Sequence, residues 1–397
     1  MVKTVLIDGA RTAFGKMGGA LQTLTASDLG AAAIKSALER SQVEATDVDE
    51  VIFGTVLQAG QGQIPSRQAA TKAGIPWKVK TETINKVCAS GMRSVTLGDQ
   101  LIRLGDEEVI VAGGMESMSN APYYLPKGRF GLRMGDATLV DGMIYDGLSD
   151  SFSPGNVHMG TFGNSTAEAF NVTRERQDEW ALRSHQLAVT AMENGIFAEE
   201  ITPVEIPQRK GDPIVVDTDE APRKDTSLEV LAKLRPAFGK DGSVTAGNAP
   251  GVSDGACALV LMSDERAARE GKNVLATVIG HAEVAIEPEN FPQTPGLVIN
   301  EILEKTGKSI EDIDLFEINE AFAVVALASS DIAKLDPEKV NVNGGAVALG
   351  HPIGASGARI ILTLAYELKR RGGGIGIAAI CSGGGQGDAI MIEVPKQ

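Results

Sequence analysis

The chain has 397 residues, 43% of them hydrophobic and 22% charged, with a formal net charge of −15. That length exceeds one ordinary core and suggests two or three domains, and the composition is that of a globular protein rather than a disordered one. No apolar run reaches the roughly 18 residues needed to span a bilayer, and the negative charge argues against nucleic acid as a partner.

Met1-Val2-Lys3-Thr4-Val5-Leu6-Ile7-Asp8 reads as an opening strand without the long apolar stretch of a signal peptide. The final Pro395-Lys396-Gln397 is no peroxisomal address, so the expected compartment is the cytoplasm. Cys88, Cys257 and Cys381 are too few for a disulfide framework, no CxxC pair occurs, and the four histidines lie far apart. A reducing compartment is therefore expected, with no zinc module and no metal site.

Around Ile34 an amphipathic helix leads through the acidic turn Asp47-Val48-Asp49 into a buried strand at Phe53. Next comes Asn85-Lys86-Val87-Cys88-Ala89-Ser90-Gly91-Met92-Arg93, an extended stretch entering an apolar helix. That helix is predicted to run to Leu104 and stop at Gly105, with the strand Val109-Ile110-Val111-Ala112 behind it. Cys88 near the helix start meets the positive end of the macrodipole, which favours thiolate. Read alone, it equally fits a small buried residue opening a core helix.

Residues 121–249 differ in character. They are rich in Gly, Met, Pro and Asp at first, then predict a helix from about Thr173 to Asn194. Between Arg209 and Lys240 seven Lys/Arg face six Asp/Glu, a locally basic stretch compatible with anion binding on an acidic body. Gly247-Asn248-Ala249-Pro250-Gly251 then precedes an apolar strand, Cys257 to Met262, in which Cys257 reads as core.

The last part repeats the first. With a shift of 265 residues Ile34 falls on Ile299, Leu38-Glu39 on Leu303-Glu304, and Asp47-Val48-Asp49 on Asp312-Ile313-Asp314. With a shift of 266, Ser90-Gly91-Met92-Arg93 falls on Ser356-Gly357-Ala358-Arg359. Two similar α/β halves follow: 1–120 plus 250–270, and 271–397, with 121–249 as a loop domain between them. The second half predicts a strand Leu315–Ile318 ending in Asn319-Glu320-Ala321-Phe322, where ligand sites of open α/β sheets gather. Asn319 there could hold a water or a carbonyl, or cap the following helix. His351 sits in the stiff loop Gly350-His351-Pro352-Ile353-Gly354-Ala355-Ser356-Gly357, which precedes a helix expected to run to Arg371 and a strand Ile375–Ile380. Cys381 opens Cys381-Ser382-Gly383-Gly384-Gly385-Gln386-Gly387, whose glycines leave backbone N–H groups free to form an anion nest.

Together NKVCASG around Cys88, NEAFA around Asn319, GHPIGASG around His351 and CSGGGQG from Cys381 resemble the motifs of the thiolase family. Met115-Glu116-Ser117-Met118-Ser119 and Lys233-Leu234-Arg235-Pro236-Ala237-Phe238 are similar to further family segments. The resemblance runs from about Arg11 to the last strand. It implies a five-layered αβαβα fold, an inserted loop domain over a coenzyme A channel, and a homo-oligomer, either a dimer or a tetramer built as a dimer of dimers. It implies an acyltransferase that joins two acetyl-CoA molecules, with coenzyme A as substrate and product and no cofactor. Cys88 would carry the acetyl group and His351 would activate it; Cys381 would move the C2 proton. His351 and a water on Asn319 would hold the enolate oxygen, and backbone N–H groups of Cys88 and Gly383 would form a second oxyanion hole.

His158 and Met159 resemble the pair of short-chain members, lining the acyl and pantetheine path with Phe238, Ala246, Pro250, Ala321 and Phe322; Arg223 would lie near the nucleotide. Pro250 departs from the family, since many relatives carry serine there, and proline offers neither hydroxyl nor N–H. A degradative thiolase of longer 3-ketoacyl-CoAs and a non-catalytic acyl-CoA-binding protein on the same fold are the alternatives.

Overall fold

The computed structural model describes residues 2–396. In chain order its principal elements begin with strand β1 (Thr4–Thr12), helix α1 (Ala26–Ser41), β2 (Glu50–Gly54), α2 (Pro65–Lys72), β3 (Lys80–Ile84), α3 (Ser90–Leu104) and β4 (Val109–Ser117). There follow α4 (Met159–Ala169), α5 (Arg174–Glu193), β5 (Ser253–Ser263), β6 (Ala276–Ala285) and α6 (Thr294–Thr306). The chain ends with β7 (Leu315–Ile318), α7 (Ala323–Ala333), α8 (Ser356–Arg370), β8 (Gly374–Ser382) and β9 (Gln386–Val394).

Local signals set many of these boundaries. Thr25 and Asp28 close a reciprocal capping box on α1, whose end is marked by Gln42 in the left-handed region. Thr173 caps α5 through the Arg176 N–H, and Gly105 ends α3 at φ 81°. β4 and β5 are buried at every position, as strands covered on both faces require.

The strands run in the order β3-β2-β4-β5-β1-β6-β9-β8-β7. β1–β5 and β5–β4 are antiparallel, whereas β4–β2 and β2–β3 are parallel. The second half repeats this outward from β6: antiparallel to β9 and β8, then parallel to β7. The two halves meet edge to edge where Val5 and Leu6 of β1 pair with Thr277 and Ala276 of β6.

Three cores define five layers. One packs α1 and α2 on the outer face of the first half, for example Leu29, Ile34 and Ala69 against Val51, Val111 and Val260. Another packs α6 and α7 on the outer face of the second. Between them, the inner faces of both halves enclose α3 and α8, with Met92 and Val95 beside Ile361 and Leu364. The order is αβαβα. In this middle layer α8 is buried from Ser356 through Leu368, whereas α3 keeps Arg103 and Leu104 exposed at its end. α3 and α8 touch at their glycines: a Cβ on Gly91 would lie 2.8 Å from the Gly354 carbonyl oxygen, and one on Gly357 would lie 2.4 Å from the Met92 nitrogen. The repeated Ser-Gly pair is thus a close-approach signal.

The inserted segment is fastened to both halves. Trp180 of α5 packs into the second half's outer core and donates to Glu320 at 2.9 Å. Arg11 of β1 forms buried ion pairs with Glu200 (2.6 Å) and Asp219 (2.7 Å). Asp219 and Glu220 thus turn inward, while Arg209, Lys210, Lys233, Arg235 and Lys240 stay exposed. The stretch is therefore more basic toward solvent than its composition indicates. Among the described residues no helix is long and apolar enough to cross a membrane.

Candidate active site

Cys88 lies two residues before α3, at the end of a tight elbow. Val87 has φ 45°, a left-handed conformation that a β-branched residue adopts only under constraint. The elbow is closed by Val87 N–H to Asn85 Oδ1 (3.0 Å), Lys86 N–H to Ser90 Oγ (2.8 Å) and Ser90 Oγ to the Val87 carbonyl (2.6 Å). Its effect is to turn the Cys88 side chain into a cavity that also meets His351 and Gly383.

The expectation of a dipole-favoured thiolate does not hold for the resting site. Burial pushes the Cys88 thiol up to about 12, against the opposing N–H groups of Gly383 and of Cys88 itself. Desolvation outweighs a helix terminus that begins only at Ser90. The two N–H groups aimed at the sulfur are the pair expected to serve as an oxyanion hole. Cys381, at the end of β8, is wholly buried; burial holds its thiol well above the usual range, and the neighbouring Cys88 adds to this.

His351 is kept neutral. Burial and the nearby Arg359 guanidinium push it down to about 3. Its Nδ1 is 2.6 Å from Ser356 Oγ, which donates its own proton to the Pro352 carbonyl at 3.0 Å. Ser356 therefore accepts from Nδ1–H, and the network assigns a bare Nε2. The His351 N–H donates to Ser253 Oγ (3.1 Å) of β5.

Asn319 does not cap α7, which starts only at Ala323 after Phe322. Its Nδ2 lies 3.4 Å from His351 Nε2, and its buried Oδ1 has no partner. An unpaired buried acceptor beside a bare imidazole nitrogen suits an ordered water or a substrate group.

The cavity walls are apolar. His158 caps α4 through its Nδ1 and stacks on Phe238 at 4.3 Å, and Phe238 meets Phe322 edge-on at 6.1 Å. Gly160 leaves room for that stack, since a Cβ there would lie 2.2 Å from the Phe238 ring. Met159, Pro250 and Ala321 also line the cavity. Arg223 and Ala246 do not: both are exposed outside it. Arg223 instead donates its N–H to buried His185 (3.2 Å).

Sequence reasoning missed several contributors. Phe291 and Leu148 line the cavity without any local motif to mark them, and Ile353 lines it from within the His351 motif, where it was not singled out. Glu116 was visible only as part of a family-like segment. Its buried carboxylate accepts from Val56 N–H, Leu57 N–H, Thr55 Oγ1 and Gly354 N–H at 2.9 to 3.1 Å, tying the His351 loop to the first half. Among the described residues no group of three or more His, Cys, Asp or Glu side chains is arranged to hold a metal ion.

A duplicated αβαβα scaffold that brings Cys88 and a neutral histidine to one apolar cavity, with buried Cys381 beside Cys88, defines a cysteine-dependent α/β enzyme. The chain belongs to the thiolase family: the family's N-terminal domain matches residues 4–265 and its C-terminal domain residues 272–394. It is 51% identical over 392 residues to an acetyl-CoA acetyltransferase of Pseudomonas aeruginosa, covering 99% of each chain. It is 50% identical over 389 residues to a probable acetyl-CoA acetyltransferase of Mycolicibacterium smegmatis, covering 98% of this chain and all of the relative. The crystal structure of the Bacillus anthracis acetyl-CoA acetyltransferase superposes with a TM-score of 0.97 at 44% identity, covering 100% of this chain and 99% of that one.

Proposed function

We propose that this chain is an acetyl-CoA C-acetyltransferase, condensing two acetyl-CoA to acetoacetyl-CoA and coenzyme A, and reversing that reaction. The observation that carries the reading is the floor of the cavity: a neutral Cys88 thiol facing the Gly383 N–H, beside a histidine whose Nε2 is bare. The names of the relatives support the same activity.

Neutral partners give a balanced cycle. His351 Nε2 takes the Cys88 proton as Sγ attacks the thioester carbonyl, and the oxyanion is met by the N–H groups of Cys88 and Gly383. Coenzyme A departs as a thiol with the proton of Cys381. This leaves acetyl-Cys88, an imidazolium and the Cys381 thiolate. Cys381 then removes the C2 proton of a second acetyl-CoA, whose enolate oxygen would be held by His351 Nε2–H and a water bound at the unpartnered Asn319 Oδ1. Carbon–carbon bond formation expels the Cys88 thiolate, which His351 reprotonates. One donor in such a hole is worth about 3–4 kcal/mol, which is why the weakly acidic C2 proton needs both. The pathway uses coenzyme A as substrate and no bound cofactor.

The test is intact-mass analysis after mixing with acetyl-CoA. Wild type is expected to gain one acetyl group, Cys88→Ser none, and Cys381→Ser one that does not turn over. A fully reduced, folded wild type that stays unmodified overturns the reading in favour of a non-catalytic acyl-CoA-binding protein. Thiolysis of 3-ketoacyl-CoAs of increasing length separates the acetoacetyl enzyme from a degradative one.

The working form we propose is a homo-oligomer, a dimer of dimers, in the cytoplasm. Exposed Phe130, Leu132, Met134 and Leu139 in the inserted segment support self-association. Three free cysteines fit a reducing compartment. Light scattering across a dilution series measures the assembly.

A further inference from the structure

The strained elbow before Cys88 belongs to the first half, yet much of what grips it comes from the second. A β-branched residue at positive φ costs on the order of 1–3 kcal/mol and persists only where its surroundings over-determine it. Ser382, the neighbour of Cys381, donates from Oγ to the Lys86 carbonyl at 2.6 Å. The Lys86 ammonium reaches Asp388 on β9 (2.7 Å) and Glu283 on β6 (2.6 Å). Asp388 pairs across the β8–β9 hairpin with Ile380, the residue before Cys381. Its side chain is 1% exposed and its Oδ2 has no partner, so Lys86 provides its ion pair. The hairpin that carries Cys381 therefore holds the residue two before Cys88 by both main chain and side chain. Neither Lys86 nor Asp388 lines the substrate cavity.

We propose that Lys86 and Asp388 are positioning residues: their largely buried ion pair fixes the register between the Cys88 elbow and the Cys381 hairpin. Under the acetyl-transfer reading, on which the kinetic part rests, this register aligns the acetyl-Cys88 carbonyl with the carbanion that Cys381 generates. Displacement of about 1 Å in such an alignment costs on the order of 100-fold in rate.

The test compares Lys86→Met, Asp388→Leu, the double variant and Lys86→Arg. Lys86→Met is expected to lower kcat about 10- to 100-fold. Its KM for acetyl-CoA should stay within about threefold, since the cavity walls are untouched. Acetyl-Cys88 should accumulate, because coenzyme A can also leave with the imidazolium proton of His351, whereas condensation needs both thiols in register. Lys86→Arg should regain most of kcat. The double variant should regain thermal stability, as apolar replacement of a buried pair often does, while remaining slow. Recovery of kcat together with stability in the double variant, or an unchanged kcat in Lys86→Met, overturns the proposal.

A second measurement needs no catalysis. Diamide oxidises two adjacent thiols to a disulfide, and the rate of Cys88–Cys381 bridging reports their separation. It is expected to fall at least about fivefold in Lys86→Met if the register is lost, and an unchanged rate sinks the proposal. Wild type that bridges normally yet is never acetylated removes the acetyl-transfer reading instead.

Discussion

The two halves share one scaffold but not one chemistry. β4 and β8 are both nine residues long, and their eighth positions are Glu116 and Cys381. Glu116 collects buried N–H donors, whereas Cys381 lies beside Cys88. With the shift of 265 residues, Asn319 corresponds to Gly54, where a Cβ would lie 2.6 Å from the Ser90 carbonyl carbon. With the shift of 266, Cys88 corresponds to Gly354, where a Cβ would lie 2.6 Å from the Met115 carbonyl oxygen and 2.8 Å from Glu116. At each pair one copy carries a side chain suited to chemistry, and the other is closed by packing or spent on holding a loop. Duplication supplied two equivalent sets of positions, and close packing at Gly54 and Gly354 leaves no room there for a second set of reactive side chains.

The comparison is most directly broken by truncating the equivalent pair Cys381 and Glu116. Cys381→Ala should reduce turnover by about 10³-fold or more, as loss of a general acid/base does, while costing at most about 1.5 kcal/mol in urea unfolding. Glu116→Ala should instead strand several buried donors and cost about 3 kcal/mol or more of stability. Similar losses of both kinds in both variants would show that the halves are not specialised.

A smaller effect sharpens the second half's role. Ser356 holds His351 in the Nδ1–H tautomer, whereas its repeat partner Ser90 closes the Cys88 elbow. Ser356→Ala is expected to lower kcat about 10- to 100-fold with little change in KM, and Ser356→Thr should restore part of it. Nitrogen chemical shifts of His351 should move from one tautomer to a mixture. An unchanged tautomer with unchanged rate refutes the assignment.

The smallest effect concerns the insert. His185 is buried on α5, accepts the Arg223 N–H, and is pushed down to about 4 by burial and the Arg223 charge. Its folded value lies below its unfolded one, so its stabilisation is complete above pH 6.5 and is lost as pH falls from 6.5 toward 4. On the order of 3 kcal/mol is involved. His185→Gln, which retains an acceptor, should flatten the stability profile across that window. A profile identical to wild type would refute this.

What could be read from the sequence was what is written locally or repeated. The stop at Gly105, the caps Thr173 and Asn194 of α5, and β7 over Leu315–Ile318 all fall where turn chemistry and periodicity placed them. The strand read as Ile375–Ile380 is longer, Gly374–Ser382, because pairing with β9 extends it to the hairpin. The repeat is equally local evidence: α3 and α8 both begin Ser-Gly because each glycine meets the other helix's backbone. Motif spacing identified Cys88, Asn319, His351 and Cys381 as candidates without revealing how they are held.

Tertiary structure decided the rest, because the relevant forces act between residues far apart in the chain. The protonation of Cys88 follows from burial, which outweighs the helix terminus the local sequence displays. The tautomer of His351 depends on where Ser356 sends its one proton. Glu116 reaches Gly354 across 238 residues, and Lys86 reaches Asp388 across 302. No window of sequence contains both members of such a pair. The chain alone determined the duplicated scaffold and the reactive side chains; packing of the two halves against each other determined their charge states, their orientation and the cavity that Cys88 and His351 line.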